Sequence, residues 1–544
     1  MKKTEIADTS NVPFLWESAN FYFLLTDRFY NGNKKKKVKL VSHERIGKLR
    51  GFMGGDIAGV TQKLNEGYFT DLGVNVLWLT PIFKQTEGGT DEGMGRTYAF
   101  HGYWPRDFTA IDPHFGTMEE LKELVETAHS KHIRIVMDVI INHIGPVTEK
   151  DPVWEKEWVR TGPICTYDNY ESTVSCTLVE NLPDIRTESD EAVELPSQLV
   201  EKWKEEGRYE QEVAELDAFF ERTSLPRSPK NHIIKWITDY VRELGIDGFR
   251  FDTVKHVEEA VFNDVKQEGL LALKEWKEKN PSKKMDNSEF FMAGEVYGYG
   301  ASSKNYYDFG DKKVDYFKNG FDGLINFQFL HDAQEKGYEE LFSFYNILLA
   351  TPEMKGNHIL NYLSSHDDEK PFDPTRLKPI ESANKLLLSP GASQIYYGDE
   401  IARSLKIEGT EGDATLRSFM NWEDLESNEE VNGFKTKDIL THWQKIGKFR
   451  ASHPAVGAGK HTLISKSPYI FSRSFQRGDF KENVVVGLEL PTGKKVVEVK
   501  GNFADGSTVL DKYSGKTAEV KDGKVIIDSL FEYILLESLP GNVL

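Results

Sequence analysis

The sequence of 544 residues contains no apolar stretch long enough to cross a bilayer as a helix. Its first ten residues also lack the apolar run of a signal peptide. We therefore expect either a cytoplasmic protein or a mature form whose export signal has been removed.

The chain is also short of basic residues: 68 Lys and Arg stand against 87 Asp and Glu, which gives a net charge of −19. This balance argues against nucleic acid or anionic lipid as the main partner, because both need a basic surface. A neutral polymer is compatible with it. One lysine cluster, at positions 34–37, departs from the trend, and we interpret it as a solvated loop.

Cysteine is nearly absent, since Cys165 and Cys176 are the only two. They lie close together in a segment that is predicted to be rich in loops. In a cytoplasmic protein they would be free thiols, whereas in an exported protein a disulfide between them is expected.

What the sequence does contain is an alternation of apolar runs with helical periods. The runs are almost continuously hydrophobic, as is typical of parallel strands that are buried on both faces. Helical spacing of apolar residues follows at 118–131 and 231–244. Eight runs carry the strand pattern, at 20–29, 74–82, 133–143, 246–254, 290–296, 320–327, 358–367 and 391–400.

Eight strands separated by helices predict an α/β fold, a (β/α)8 TIM barrel. A doubly wound open sheet is the alternative, but no glycine-rich phosphate-binding sequence follows the first strand. We assign the catalytic barrel to 1–144 and 228–455, and a polar, irregular inserted subdomain to 145–227. Beyond 456 the helical period stops, and strands at 469–475, 483–490, 495–500 and 524–536 predict a C-terminal β domain over 456–544.

Acidic residues stand at the carboxyl ends of several predicted strands, where barrel enzymes place their active sites. Glycoside hydrolysis requires one ionised and one protonated carboxyl group around the anomeric carbon. A single such acid is most often a salt-bridge or capping group, but three of them beside polar neighbours indicate a site. The acids are Asp252, Glu295 and Asp367, and the neighbours are His143, Arg250 and His366.

Four segments of the sequence resemble the four signature regions of glycoside hydrolase family 13, the α-amylase family. They lie at 138–143, 248–256, 294–296 and 364–367. Further landmarks of that family match at 54–56, 101–104, 182–184 and 396–400. The resemblance covers about residues 14–425 and is greatest to the bacterial periplasmic α-amylases.

The resemblance implies a role for each acid. Asp252 would be the nucleophile that forms a covalent glucosyl ester, and Glu295 would be the general acid and then the general base. Asp367 would bind the 2- and 3-hydroxyls of the distorted sugar. Arg250 stands two residues before Asp252, hence on the same strand face, and would keep that carboxylate ionised.

The same resemblance implies the substrate-binding residues. His143 and His366 would donate hydrogen bonds to hydroxyls of the same sugar that Asp367 binds. Tyr103 would stack beneath the ring of that sugar. Lys255 and His256 would contact the sugar on the leaving-group side.

Asp413 and Arg417 stand four residues apart, like a pair that many members of the family place around the glycone sugars; a surface loop is the alternative interpretation. The family often binds Ca²⁺ between barrel and insertion. Asn142, Asp184 and the backbone carbonyl of His256 match three of its ligands, although Ca²⁺ requires six to eight oxygens. Ser365 stands where chloride-activated members have Asn, which disfavours chloride dependence.

The implied activity is that of an α-amylase: retaining endo-hydrolysis of α-1,4-glucosidic bonds in starch, glycogen and maltodextrins. The alternatives are a neopullulanase- or cyclodextrinase-like hydrolase and an α-glucan transglycosylase of the same family. A non-catalytic glucan-binding homologue is disfavoured, because such proteins lose at least one of the three acids. We expect a monomer that acts in the periplasm or outside the cell, with the cytoplasm as the alternative.

Overall fold

The computed structural model describes residues 12–33, 46–91, 93, 95–368 and 370–539, so the lysine cluster at 34–37 lies outside the described residues. Eight strands, numbered here β1 to β8, form a closed barrel. Their bounds are β1 Asn20–Leu24, β2 Val76–Leu79, β3 Arg134–Val139, β4 Gly248–Phe251, β5 Phe291–Gly294, β6 Gly323–Asn326, β7 His358–Tyr362 and β8 Ala392–Tyr396.

All neighbouring barrel strands are parallel, and the ring closes where β1 pairs with both β2 and β8. The strands are buried along nearly their whole length. Such burial requires apolar side chains on both faces, since one face meets the barrel interior and the other the surrounding helices. The predicted (β/α)8 TIM barrel is confirmed.

The observed strands are shorter than the predicted runs, mainly at their carboxyl ends. Strand β4 ends at Phe251 and β5 ends at Gly294, so Asp252 and Glu295 are the first residues after their strands. The polar residues that follow each strand belong to loops and do not continue the hydrogen bonding between strands. This geometry places both acids at the same rim of the barrel.

Both predicted helices are present, as Met118–Ser130 and Pro229–Leu244. The first begins with a reciprocal capping box between Thr117 and Glu120. The second begins with proline and ends before Gly245 in the left-handed conformation. The other α-helices are Thr26–Phe29, Ile57–Asn65, Tyr68–Asp71, Glu171–Val174, Ser197–Glu205, Tyr209–Thr223, Val261–Lys279, Phe327–Glu335, Tyr338–Leu349, Pro379–Leu387, Trp422–Ser427, Thr436–Ser452 and Ala455–Ala458.

The segment 145–227 follows β3 and returns to the barrel through the helix Pro229–Leu244. It is only partly irregular, because Ser197–Glu205 and Tyr209–Thr223 are helical and Val159–Arg160 pairs with Asp184–Ile185. Buried tryptophans hold it against the barrel. The rings of Trp158 and Trp203 lie 5.9 and 6.1 Å from that of Trp236 on the barrel helix, measured between ring centroids.

The C-terminal segment is an antiparallel β domain with a six-stranded and a two-stranded sheet. The predicted single strand 524–536 was wrong: Lys524–Ser529 and Ile534–Ser538 are separate strands in different sheets, and the turn between them exposes Leu530. Its other strands are Lys460–Lys466, Tyr469–Arg477, Phe480–Leu488, Gly493–Glu498, Thr508–Asp511 and Lys516–Glu519.

Two histidines near the end of the helix Met118–Ser130, His129 and His132, differ in burial. His129 is buried, and its Nε2 lies 2.8 Å from Asp247 Oδ2. His132 is exposed after the end of the helix. Within the described part of the chain, we find no helix that combines the length and apolar character of a bilayer-spanning segment.

Candidate active site

A cleft of about 590 Å³ opens at the carboxyl ends of the barrel strands. Most of the residues singled out from the sequence line it, while Arg250 lies beneath its floor and Asn142 and Asp184 lie outside the lining. Those in the lining are Tyr103, His143, Asp252, Lys255, His256, Glu295, His366, Asp367, Asp413 and Arg417.

The guanidinium of Arg250 is the electrostatic centre of the site. Its Nη1 lies 2.9 Å from Asp138 Oδ1 and 3.0 Å from Asp252 Oδ1, and its Nη2 lies 3.1 Å from Glu295 Oε2. Arg250 is only 1% exposed, so these contacts are formed away from bulk water. One cation thus holds three carboxyl groups whose mutual repulsion it only partly offsets.

Asp138 is a further buried residue of this network and is not among the site residues predicted from the sequence. Its Cα pairs in register with that of Arg250 across β3 and β4. Its Oδ2 accepts hydrogen bonds from Trp78 Nε1 at 3.0 Å and from the Tyr103 hydroxyl at 2.8 Å. An acid that follows the apolar run 135–137 within the strand was the signal that could have identified it. Asp138 therefore positions both Arg250 and Tyr103.

Glu295 is placed to carry a proton near neutral pH. Burial is the largest influence on it, and together with the charges of Asp252 and Asp367 it raises the pKa of Glu295 to about 8, against the opposing effect of Arg250. The backbone N–H of Thr253 donates to Glu295 Oε2 at 2.9 Å and fixes the position of the carboxyl group.

Asp252 lies within hydrogen-bonding reach of Glu295 and is the more acidic of the two. Burial, followed by the charges of Asp138 and Asp367, raises the pKa of Asp252 to about 6, while Arg250 opposes the rise. Between pH about 6 and pH about 8, Asp252 is therefore mostly ionised and Glu295 mostly protonated. A double displacement requires this difference.

Asp367 faces the pair from the loop after β7. Its Oδ1 lies 2.5 Å from Arg417 Nη2 and its Oδ2 lies 3.0 Å from His366 Nε2. Burial acts to raise the pKa of Asp367, but the charges around it, including those of Arg417 and Arg250, outweigh burial and hold the pKa below its usual value. Asp367 is therefore the ionised member of the trio over the widest pH range.

The histidines of the cleft are neutral near pH 7. Burial lowers the pKa of His143 to about 4 and that of His366 to about 3. A neutral imidazole has one donor and one acceptor nitrogen, which suits sugar hydroxyls. The ring of Tyr103 lies 5.1 Å from that of His366 at an interplanar angle of 14°, so the two rings stack.

Asp413 and Arg417 lie on the 3₁₀ turn Gly412–Arg417, and both line the cleft. Arg417 Nη2 is 2.6 Å from Asp413 Oδ2, and Arg50 Nη2 is 3.2 Å from Asp413 Oδ1. The structure thus brings this pair to the cleft and, through Arg417, into contact with Asp367.

Lys255 and His256 lie on the 3₁₀ turn Val254–His256 that follows Asp252. Lys255 Nζ donates to the backbone oxygen of Tyr297 at 3.2 Å, and burial lowers the pKa of Lys255. Tyr297 and Tyr167 also line the cleft although neither was singled out from the sequence. Tyr297 stands two residues after Glu295, a position that could have drawn attention to it.

Asn142, Asp184 and His256 meet between the barrel and the inserted segment. One end of the Asn142 side-chain amide lies 3.0 Å from both the His256 carbonyl oxygen and Asp184 Oδ1. With nitrogen at this end the contacts are hydrogen bonds; with oxygen at this end, three oxygens converge. The other carboxylate oxygen of Asp184 binds Arg160 Nε at 2.8 Å.

Cys165 and Cys176 are joined in a disulfide, in a loop of the inserted segment that reaches the cleft. The barrel places three acids after its strands, and the pKa values of two of them, Asp252 and Glu295, differ. These features define a class of protein, a barrel enzyme in which carboxyl groups carry out the chemistry.

Comparison with known proteins makes this class specific. The family model of the α-amylase catalytic domain matches residues 23–445. The periplasmic α-amylase of Escherichia coli K12 is 35% identical over 538 residues, which cover 88% of this chain and 73% of that protein. The chain belongs to the α-amylase family of glycoside hydrolases, glycoside hydrolase family 13, as the resemblance of its motifs indicated.

More distant relatives share the fold. A cyclomaltodextrin glucanotransferase of Geobacillus stearothermophilus is 24% identical; the match covers 90% of this chain but only 63% of the relative. The crystal structure of an Anoxybacillus α-amylase superposes with a TM-score of 0.67 at 22% identity, and the match covers 98% of this chain and all of that one.

Proposed function

We propose that the protein is an α-amylase that hydrolyses internal α-1,4-glucosidic bonds of starch, glycogen and maltodextrins with retention of anomeric configuration. The observation that carries the proposal is the contact of Arg250 with both Asp252 and Glu295, at 3.0 and 3.1 Å. An inverting pair would need room for a water molecule between its carboxyl groups, whereas a retaining pair lies close together.

The reaction proceeds in two displacements. The Asp252 carboxylate attacks the anomeric carbon while Glu295 gives its proton to the departing glycosidic oxygen, and a glucosyl ester forms. Glu295, now ionised, takes a proton from a water molecule that attacks the same carbon from the opposite side. The ester bond breaks, Asp252 is released as a carboxylate, and Glu295 is protonated again.

The remaining cleft residues bind the reacting sugar. Asp367, held by Arg417, accepts hydrogen bonds from its 2- and 3-hydroxyls and stabilises the positive charge of the transition state. The neutral rings of His143 and His366 bond to hydroxyls of the same sugar, and Tyr103 stacks beneath it. On the leaving-group side, Lys255 and His256 contact the next sugar.

The named activities of relatives leave two alternatives within the family. One is a transglycosylase, as the name of the G. stearothermophilus relative describes that protein, and the other is a neopullulanase- or cyclodextrinase-like hydrolase. Products from starch, pullulan and cyclodextrins separate them. We expect a rapid fall in starch viscosity with linear maltooligosaccharide products; preferential cleavage of pullulan or cyclodextrins, or cyclic products from starch, would favour an alternative.

The pH dependence of kcat/KM follows from the two acids. Activity requires ionised Asp252 and protonated Glu295, so it should fall below pH about 6 and above pH about 8. Both limbs belong to the free enzyme, because the pH dependence of kcat/KM reports its protonation states. Initial rates on maltoheptaose at low substrate concentration measure both limbs. An acid limb near about 4, the usual aspartate pKa, with no alkaline limb would contradict this assignment.

A calcium ion bound by Asn142, Asp184 and the His256 carbonyl is part of the proposal. The convergence of an amide, a carboxylate and a carbonyl at one point supports it, since these are the ligands that Ca²⁺ prefers. The remaining oxygens would come from water or from the inserted segment. Bound there, the ion would tie the insertion to the turn after Asp252 and so stabilise the wall of the cleft.

Chelation should therefore lower the melting temperature by several degrees, and added Ca²⁺ should restore it, since a ligand at roughly 1,000 times its Kd stabilises by about 4 kcal/mol. Asn142→Asp provides the matched test. With a cation present the new carboxylate is a ligand, whereas without one it repels Asp184 and destabilises the fold. A melting curve that thorough chelation leaves unchanged would show that no structural Ca²⁺ is bound at this site.

We place the protein in the periplasm or outside the cell. A disulfide between Cys165 and Cys176 persists in an oxidising compartment, and the E. coli relative is named as periplasmic. A cytoplasmic enzyme would instead contain reduced thiols. Mass spectrometry after alkylation of protein from each cell fraction distinguishes the two. We also propose that it acts as a monomer, which light scattering tests.

A further inference from the structure

The loop closed by Cys165 and Cys176 forms part of the wall of the cleft. Its most exposed aromatic residue, Tyr167, is 50% exposed and lines the cleft, while both cysteines are buried. A large ring left half exposed inside a cleft is available to a ligand, and flat rings pack against the apolar faces of sugars.

This loop is fastened to the turn that carries His256. Cys165 Sγ lies 3.9 Å from His256 Nδ1, and the same nitrogen donates to the backbone oxygen of Thr173 at 2.8 Å. The ring of Tyr167 meets the His256 ring edge-on at 5.8 Å. The disulfide, the exposed tyrosine and a leaving-group residue therefore form one packed unit.

A second exposed tyrosine faces the same point from the loop after β5. Tyr297 is 53% exposed, and Lys255 Nζ lies 5.3 Å from its ring centre and 5.5 Å from that of Tyr167. Tyr297 follows Glu295 by two residues, and both side chains line the cleft. The two rings and Lys255 enclose the region into which the leaving sugar departs.

We propose that the loop closed by Cys165 and Cys176 is a disulfide-locked wall of the leaving-group subsite, in which Tyr167 and Tyr297 clamp the departing glucan segment. The inference rests on the proposed function and extends it to a structural element that controls substrate length preference. Because the lock is a disulfide, the strength of the clamp depends on the redox state of the two cysteines.

Reduction would release the clamp. A dithiol such as dithiothreitol supplies two electrons and two protons, the S–S bond breaks into two thiols, and the reductant closes into its own cyclic disulfide. The loop then loses its covalent closure, and Tyr167 and the contact of Thr173 with His256 lose their fixed positions. Substrates that need the leaving-group subsite are affected, and substrates that do not reach it are spared.

Two substrates separate these effects. Maltoheptaose places sugars on both sides of the scissile bond, whereas α-maltotriosyl fluoride places only fluoride on the leaving-group side. We compare the parent, Tyr167→Ala, the double variant Cys165→Ser/Cys176→Ser, and the parent treated with dithiothreitol. Tyr306→Ala is the matched control, because Tyr306 is 41% exposed but does not line the cleft.

We expect kcat/KM for maltoheptaose to fall about tenfold in Tyr167→Ala, mainly through KM, relative to kcat/KM for the fluoride. The double variant and the reduced parent should show the same selective loss, and reoxidation should reverse it in the parent. Tyr306→Ala should match the parent on both substrates.

Each other outcome has a distinct meaning. A parent that hydrolyses neither substrate refutes the proposed function itself. A parent active on both, with Tyr167→Ala equal to Tyr306→Ala on maltoheptaose, overturns the clamp. A double variant and reduced parent that keep the parental ratio of the two substrates, or that lose both activities equally, overturn the redox coupling.

Discussion

Asp252→Asn will abolish hydrolysis of maltooligosaccharides while the protein remains folded. The variant keeps the shape of the side chain but removes the carboxylate that forms the covalent ester, and loss of such a nucleophile costs on the order of 10⁴–10⁶ in kcat. Rates on maltoheptaose, followed by chromatography of the products, measure the loss.

Stability should be retained in this variant for a specific reason. Burial raises the pKa of Asp252 above the value of an unfolded aspartate, so the group favours folding most at low pH and that contribution is lost as the pH rises through about 6. At neutral pH the charge therefore weakens the fold, and the neutral Asn should leave the melting temperature equal or higher. Asp479→Asn, on the exposed surface of the C-terminal domain, is the control. Full activity of Asp252→Asn would remove Asp252 from the role of nucleophile.

Glu295→Gln should produce the second largest effect, and one that depends on the leaving group. Hydrolysis of maltoheptaose loses its proton donor and should slow by about 10²–10⁴. Fluoride leaves without protonation, so α-maltotriosyl fluoride should still form the ester and release a burst of about one fluoride per active site. Turnover then stalls, because no general base activates water.

Azide tests the same variant further, since it attacks the ester without a general base. Added azide should accelerate turnover of the fluoride substrate and give the α-maltotriosyl azide. Because Glu295 is the protonated member of the pair at neutral pH, Gln is a close substitute and the fold should be unaffected. Equal losses on both substrates, with no burst, would show that Glu295 is not the acid/base.

Much of the barrel could be predicted because its strands are buried on both faces and therefore read as apolar runs. The carboxyl ends of the strands were harder to predict than their presence. Polar residues such as Asp252 and Glu295 directly follow the last strand residue, and the predicted runs extended past them. Family motifs located these acids independently of strand boundaries. Asp138 stood inside one motif, but its role depends on a cross-strand register that the sequence does not display.

Outside the barrel, local patterns were weaker guides. The run 524–536 has the pattern of one strand, because its turn, around Leu530, contains neither glycine nor proline. The positions of Tyr167 and Tyr297 in the cleft depend on loop conformations, and loops have no periodicity to interpret. His129 faces Asp247 across the packed elements, a long-range contact that its own helix does not reveal.

Retaining cleavage of α-1,4-linked glucan by Asp252 and Glu295 can be observed in an NMR time course of maltoheptaose cleavage. We expect internal bonds to break and the new reducing ends to appear first as α-anomers, which then mutarotate. In Glu295→Gln the reaction should be suppressed. Initial release of β-anomers would rule out retention, and no cleavage by the parent enzyme would rule out the proposed activity.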